Sequence, residues 1–227
     1  MCKNQLVKIG DLRGVLHLPK RISHYFIVAC HGLYSTKDSP KYIEMGEHYS
    51  NQGYNLLRFD FRGCGTSKGD FYQSTLTNRL HDLRKVLLYL RKHYPNSYIG
   101  LFGSSLGGVV SVLTASQGLW PEIHALVVWS TPYFFDDLEE LPLDFRNDLE
   151  KYDILKAASH LPPTLFIHGT QDALVNPSHA RSLYKHAPSP KKIYLFDTDH
   201  SFSSPIERQK ALLLSLSWYN TYLRRFS

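Results

Sequence analysis

A serine between glycines, an aspartate and a histidine, in that order along the chain, are the residues best placed by type and spacing for covalent chemistry. Ser105 lies in Gly103-Ser104-Ser105-Leu106-Gly107, Asp172 in Ile167-His168-Gly169-Thr170-Gln171-Asp172, and His200 in Asp197-Thr198-Asp199-His200-Ser201-Phe202. A serine hydroxyl is a weak nucleophile until a base takes its proton, and imidazole is a competent base only when a third group holds it in one tautomer. The chemistry this suggests is attack by Ser105 on a carbonyl carbon, with His200 moving the proton and Asp172 orienting His200. Gly-x-Ser-x-Gly across a strand-to-helix turn is the sequence form of a nucleophile elbow. Residues 98–102 read as the buried strand, and Val109, Val110, Val112 and Leu113 as the helix that opens after Gly107. Ser105 is then expected at the tip of the turn, in a strained conformation and at a helix N-terminus whose free N–H groups can face developing negative charge. The strand-turn-helix context favours the nucleophile reading over the alternatives, a phosphate-cradling or purely structural loop.

Attack on a carbonyl makes an oxyanion, which needs preorganised donors. The backbone N–H of Leu106, next after the nucleophile, is one. The second is expected from His31-Gly32-Leu33-Tyr34, directly after an apolar strand, with the Leu33 N–H as donor and Tyr34 as the alternative. The Tyr34 ring is a candidate pocket wall. Asp197 and Asp199 are rival acids, but they sit too close to His200 in sequence to reach its ring easily. His81, His93, His179 and His186 fall on helical stretches and are expected in solvent. His168 is expected to shape the turn that carries Asp172.

The elements that position these residues are legible from periodicity. Short strands at 6–9 and 13–18 flank Gly10-Asp11 as a hairpin. Continuous apolar runs at 25–30, 54–59, 98–102, 125–129, 164–167 and 193–196 read as strands buried on both faces of a parallel sheet. Between them lie helical stretches at 41–52, 75–94, 178–186 and 207–223. In the second, Leu76, Leu80, Leu83, Leu87, Leu90 and Tyr94 form one apolar stripe that leaves Arg79 off it. Strands alternating with helices imply an α/β fold, a mostly parallel sheet of about eight strands with helices on both faces. Ser105, Asp172 and His200 all follow C-terminal strand ends, the edge at which open parallel sheets bind ligands. The whole chain, residues 1–227, reads as one domain. Residues 133–151 are its least regular part and read as a short amphipathic flap, with Phe134 and Phe135 as candidate substrate contacts.

Composition narrows the classes. Forty-three per cent hydrophobic and 20% charged residues are ordinary for a globular protein. The formal charge is +6, but the basic residues are scattered, with pairs such as Lys191-Lys192 and Arg224-Arg225 the longest clusters. That argues against nucleic-acid binding. Three cysteines, Cys2, Cys30 and Cys64, form no disulfide framework and favour a reducing compartment. No Cys-x-x-Cys pair or His/Cys spacing suggests zinc. The N-terminus shows no signal-peptide core, and no run nears roughly 18 apolar residues. The expectation is a soluble, cytoplasmic protein that does not engage membranes.

Together the motifs resemble the α/β-hydrolase superfamily, and within it the compact branch of serine-aminopeptidase-like hydrolases and bacterial feruloyl or cinnamoyl esterases. The matching stretches are Gly14 to Pro19, His31-Gly32, Asp60-Phe61-Arg62-Gly63-Cys64-Gly65-Thr66-Ser67, the elbow, Phe166 to Asp172, and Asp199 to Phe202. The resemblance implies a hydrolase with Ser105 as nucleophile, Asp172 as acid and His200 as base, with no metal and no organic cofactor. It also implies that Asp60 and Arg62 hold the catalytic end together. Esterases of this branch carry a larger insert where this chain has 133–151, so a more open acyl site is expected. The leading expectation is a serine carboxylesterase acting on small or medium acyl esters. A thioesterase or peptidase would use the same residues. The third alternative is a binding module without catalysis, because fold does not fix function.

Overall fold

Side chains that alternate along each inner strand point to opposite faces of the sheet, and both faces are apolar. In β3 (Tyr25–Cys30), Phe26, Val28 and Cys30 enter one core while Ile27 and Ala29 enter the other. The same split separates Leu126 and Val128 from Val127 and Trp129 in β6 (Ile123–Trp129), and Phe166 from Leu165 and Ile167 in β7 (Thr164–Gly169). Such strands must be covered on both sides. The first core is closed by α2 (Leu76–His93), α3 (Leu106–Ala115), α5 (Ile154–Ala158) and α6 (Ser178–His186). The second is closed by α1 (Pro40–Asn51) and α7 (Pro205–Tyr222). This computed structural model describes residues 3–135 and 138–224. Cys2, and Asp136 and Asp137 of the expected flap, lie outside the described residues.

The remaining strands are β1 (Lys3–Ile9), β2 (Leu12–Leu18), β4 (Asn55–Asp60), β5 (Tyr98–Ser104) and β8 (Lys191–Phe196). The eight strands run in the order β1-β2-β4-β3-β5-β6-β7-β8. β1 and β2 pair antiparallel, as the Gly10-Asp11 turn predicts; from β4 to β8 every pairing is parallel. The register aligns the C-terminal ends: Cys30 lies opposite Gly103, Ser104 opposite Trp129, Trp129 opposite Ile167, and Gly169 opposite Phe196. The loops after β3, β5, β6, β7 and β8 therefore emerge along one edge.

Strands β5 and β7 run two residues further than their apolar runs suggest, through Gly103-Ser104 and His168-Gly169. The glycine in each extension passes too close to its neighbours for a side chain. A Cβ on Gly103 would lie 2.4 Å from the Gly107 carbonyl oxygen, and one on Gly169 2.2 Å from that of Thr198. The expected flap contains a helix, α4 (Leu143–Leu149), with Leu141, Phe145 and Leu149 buried in the first core. Its Asp148 carboxylate accepts the Thr77 N–H (2.7 Å) and hydroxyl (2.7 Å), satisfying a free donor at the start of α2.

Candidate active site

Ser105 sits at the tip of the turn between β5 and α3 with φ 56° and ψ −128°, a conformation few side chains adopt. Its N–H donates to the Trp129 carbonyl (2.9 Å), and its own carbonyl accepts the N–H groups of Gly108 (2.8 Å) and Val109 (3.2 Å). The turn is this tight because glycine flanks it: a Cβ on Gly107 would fall 2.2 Å from the Cys30 carbonyl oxygen. Ser130 (φ 47°) and Phe202 (φ 58°) share the positive-φ region at the same sheet edge. Strain of this kind persists only where surrounding structure over-determines it, and such residues cluster at functional sites.

Asp172 and His200 meet across the β7 and β8 loops, with Asp172 Oδ2 2.8 Å from His200 Nδ1. The carboxylate is fully buried, and the imidazole is 16% exposed. Asp172 Oδ1 accepts the N–H groups of Leu174 (3.0 Å) and Val175 (2.8 Å). His168 Nε2 lies 3.1 Å from Asp172 Oδ2 and 2.8 Å from the Val175 carbonyl, so that nitrogen carries the hydrogen and ties down the turn, as expected. Burial alone would raise the Asp172 pKa. Hydrogen bonds from His168, His200 and the Val175 N–H outweigh it and hold the carboxyl well below the ordinary range.

The His200 loop is pinned beside the elbow. The Ser130 hydroxyl donates to the His200 carbonyl (3.0 Å), and Ser130 directly follows Trp129, whose carbonyl takes the Ser105 N–H. Phe202 packs on Trp129, ring centroids 4.5 Å apart. The rival acids have other partners. Asp197 accepts from Gln171 Nε2 (2.7 Å), and Asp199 accepts from the Ser203 N–H (2.9 Å) and hydroxyl (2.5 Å).

Gly32 lies against the nucleophile: a Cβ there would be 3.1 Å from Ser105 Cβ and 3.6 Å from Oγ. Leu33 follows it, half-buried on the first core, and Leu106 is the first residue of α3. Tyr34 is 66% exposed, stacks on Phe71 (5.4 Å) and donates its hydroxyl to Glu140 (3.0 Å). Phe134 and Phe135 line a separate cleft of about 460 Å³ with Tyr133, Leu138, Leu143 and Arg146. The three expected substrate contacts thus fall in two places. Asp60 and Arg62 brace the loop after β4. Asp60 binds the Lys37 ammonium (2.8 Å) and Thr66 N–H (2.9 Å), and Arg62 grips Asp82 (2.7 Å).

Three buried polar side chains were not anticipated from the sequence. Arg79, expected off the stripe of α2, is fully buried behind Gly32. His179, expected in solvent, is buried, its Nδ1 accepting the Tyr133 N–H (3.2 Å) and its ring against Phe134 (4.5 Å). Lys41, which the sequence reading passed over, is buried beneath the elbow and donates to the Ser104 hydroxyl (3.0 Å). One signal for Lys41 was present: it lies four residues before Met45, at the margin of the buried Tyr42-Met45-Tyr49 stripe. Among the described residues no His, Cys, Asp and Glu cluster could hold a metal ion.

Burial brings the Lys41 pKa down from 10.5 to about 8; Arg208 adds to this, and Asp199 and Asp172 oppose it. Between those values the unfolded chain holds a proton that the folded chain has released, so folding is favoured as pH rises. Wild type should therefore gain on Lys41→Met from pH 8 upward, approaching about 3 kcal/mol by pH 10.5, at roughly 1.4 kcal/mol per unit. Urea unfolding of both proteins at pH 7, 8.5 and 10 measures this. A difference that does not change with pH would contradict a buried lysine of depressed pKa.

The fold and the order of elements define an α/β-hydrolase. Residues 23–147 match the family model described as serine aminopeptidase, S33, and the chain belongs to that family. The uncharacterized protein YfhR of Escherichia coli O157:H7 is 30% identical over 158 residues, covering 66% of this chain and 54% of YfhR. Mouse palmitoyl-protein thioesterase ABHD10, mitochondrial, is 25% identical over 196 residues, covering 73% of this chain and 61% of ABHD10. The chain thus spans less than two thirds of either relative. Est1E of Butyrivibrio proteoclasticus, solved with ferulic acid bound, superposes with a TM-score of 0.81 over 95% of this chain and 99% of its own, at 19% identity; that likeness shows the fold alone. No helix among the described residues is long and apolar enough to cross a membrane.

Proposed function

We propose that this hydrolase is a serine carboxylesterase for small to medium acyl esters. The observation that carries the reading is the 2.8 Å contact between His200 Nδ1 and the buried Asp172 carboxylate, on a loop pinned beside the strained Ser105 elbow. Asp172 accepts the Nδ1 hydrogen and leaves Nε2 as the basic nitrogen. Ser105 Oγ attacks the ester carbonyl as its proton passes to His200 Nε2, and the carbonyl oxygen becomes an oxyanion facing the N–H groups of Leu33 and Leu106. The tetrahedral intermediate collapses, the alkoxide leaves with the proton from Nε2, and the acyl group remains on Ser105. Water, deprotonated by His200, repeats the sequence and releases the acid. The exposed Tyr34 and the cleft at Phe134 and Phe135 are the proposed acyl contacts. The reaction needs neither metal nor organic cofactor, and it is proposed to occur in the cytoplasm.

A thioesterase is the second reading, favoured by the name of the ABHD10 relative. Matched butyryl and octanoyl p-nitrophenyl esters, the corresponding thioesters and an aminoacyl amide separate the readings. The expected kcat/KM is highest on an ester. A thioester or amide preferred by tenfold or more would reassign the bond cleaved.

A further inference from the structure

The carbonyl of Gly32 is held by two donors on the side of the peptide that does not carry the proposed oxyanion contact. His31 Nδ1 lies 2.8 Å from it and Arg79 Nη1 3.3 Å. His31 Nε2 accepts the Phe61 N–H (3.1 Å), so the ring hydrogen must sit on Nδ1 and point at the carbonyl. Burial, with the charge of Arg79, pulls the His31 pKa down to about 3 and keeps that ring neutral.

Arg79 is unusual for a buried cation. It is fully enclosed, and among the described residues no carboxylate forms an ion pair with it; the nearby Asp82 is engaged by Arg62. Its guanidinium lies 4.9 Å from the Phe61 ring centroid. Nε donates to the Ser74 carbonyl (3.0 Å) and Nη2 to Cys64 Sγ (3.5 Å). Removing such a charge from water is expensive, and here its hydrogen bonds go to two backbone carbonyls and a thiol. One of those carbonyls belongs to the peptide that joins Gly32 to Leu33.

That peptide is planar and trans, so its C=O and N–H point in opposite directions. Holding the Gly32 oxygen toward α2 turns the Leu33 N–H away from α2, and Gly32 itself is packed on Ser105. A full positive charge on the oxygen side also polarises the amide and strengthens the donor at its other end. We propose that Arg79 is a positioning residue, which with His31 fixes and polarises the Gly32–Leu33 peptide so that the Leu33 N–H serves as an oxyanion donor. This rests on the serine-hydrolase reading above.

A trifluoromethyl ketone tests it. Ser105 Oγ adds to the ketone carbon, the Oγ proton passes to His200 Nε2, and the ketone oxygen becomes the oxyanion. In ¹⁵N-labelled wild type the Leu33 amide proton should move strongly downfield when the adduct forms. Arg79→Met should lose about 10–100-fold in kcat with KM within twofold. The ketone Ki should rise by the same factor as kcat/KM falls, and Arg79→Lys should lie between. A wild-type adduct that leaves the Leu33 amide unmoved overturns the inference, whether or not the variants fold. So does a folded Arg79→Met or Arg79→Lys with unchanged kcat and Ki, or one whose stability falls while Ki does not change. Wild type that forms no adduct and hydrolyses no ester instead removes the hydrolase reading, and this inference with it.

Discussion

Ser105→Ala should lose fluorophosphonate labelling and fall by about 10⁵–10⁶-fold in kcat on a p-nitrophenyl ester, while unfolding at the same urea concentration as wild type. Stability should hold because alanine keeps the Cβ. The positive φ of the elbow stores the same strain in either residue, and the contact between Gly32 and the Cβ at 105 is unaltered. Only Oγ is lost, and with it the atom that would bond to carbon. What catalysis survives would come from the oxyanion donors and from binding. Peptide mapping of the labelled protein adds a discriminating readout, because Ser104 is the adjacent residue. The Ser104 hydroxyl accepts from buried Lys41 and is 3% exposed, so it should carry no label. A label on Ser104, or folded wild type that takes none, would sink the assignment of the nucleophile. The second result would bring forward a binding role for the fold.

The strands and the edge they share were readable because burial on both faces leaves unbroken apolar runs. The Tyr25–Cys30 run matches β3 residue for residue. Ends were less readable where glycines extend the pairing, as at Gly103 and Gly169. The short α4 and α5 helices were not delimited, because each is too brief to establish a period. At the site, residues that follow strand ends in recognisable turns could be nominated: the structure places Asp172 against His200 and Gly32 against Ser105. Residues that act through burial could not. Arg79 read as an off-stripe helix position and Lys41 drew no reading at all, since periodicity assigns a charge to solvent and cannot foresee that Gly32 O and Ser104 Oγ would be waiting for a donor inside. His179 fails for the same reason, as the rings that cover it come from a distant loop, at Phe134 and at Tyr133, 46 residues earlier in the chain.

Asp172→Asn should lower kcat by about 10⁴-fold with little change in KM. The loop decides which way the new amide points. Leu174 and Val175 both donate N–H groups to Oδ1, so the amide oxygen must stay there, and the NH₂ takes the place of Oδ2. That group faces His200 Nδ1, now as a donor. Nδ1 must then accept, the ring hydrogen moves to Nε2, and the nitrogen meant to receive the serine proton is already protonated. The same NH₂ meets the Nε2 hydrogen of His168, so two donors confront each other in a buried space and some stability is lost as well. The pH dependence carries a separate signature. Because the folded carboxyl titrates below its unfolded value near 3.8, its contribution is present above that pH and is lost as pH falls through the folded value. The stability gap between wild type and Asp172→Asn should therefore narrow as pH drops below about 4. Asp197→Asn is the comparison, since that carboxylate is engaged by Gln171 and not by His200. It should leave kcat within about threefold, in line with an ordinary surface substitution. If Asp197→Asn were the more damaging of the two, the acid would have to be reassigned, and the 2.8 Å contact between Asp172 and His200 would be a structural one.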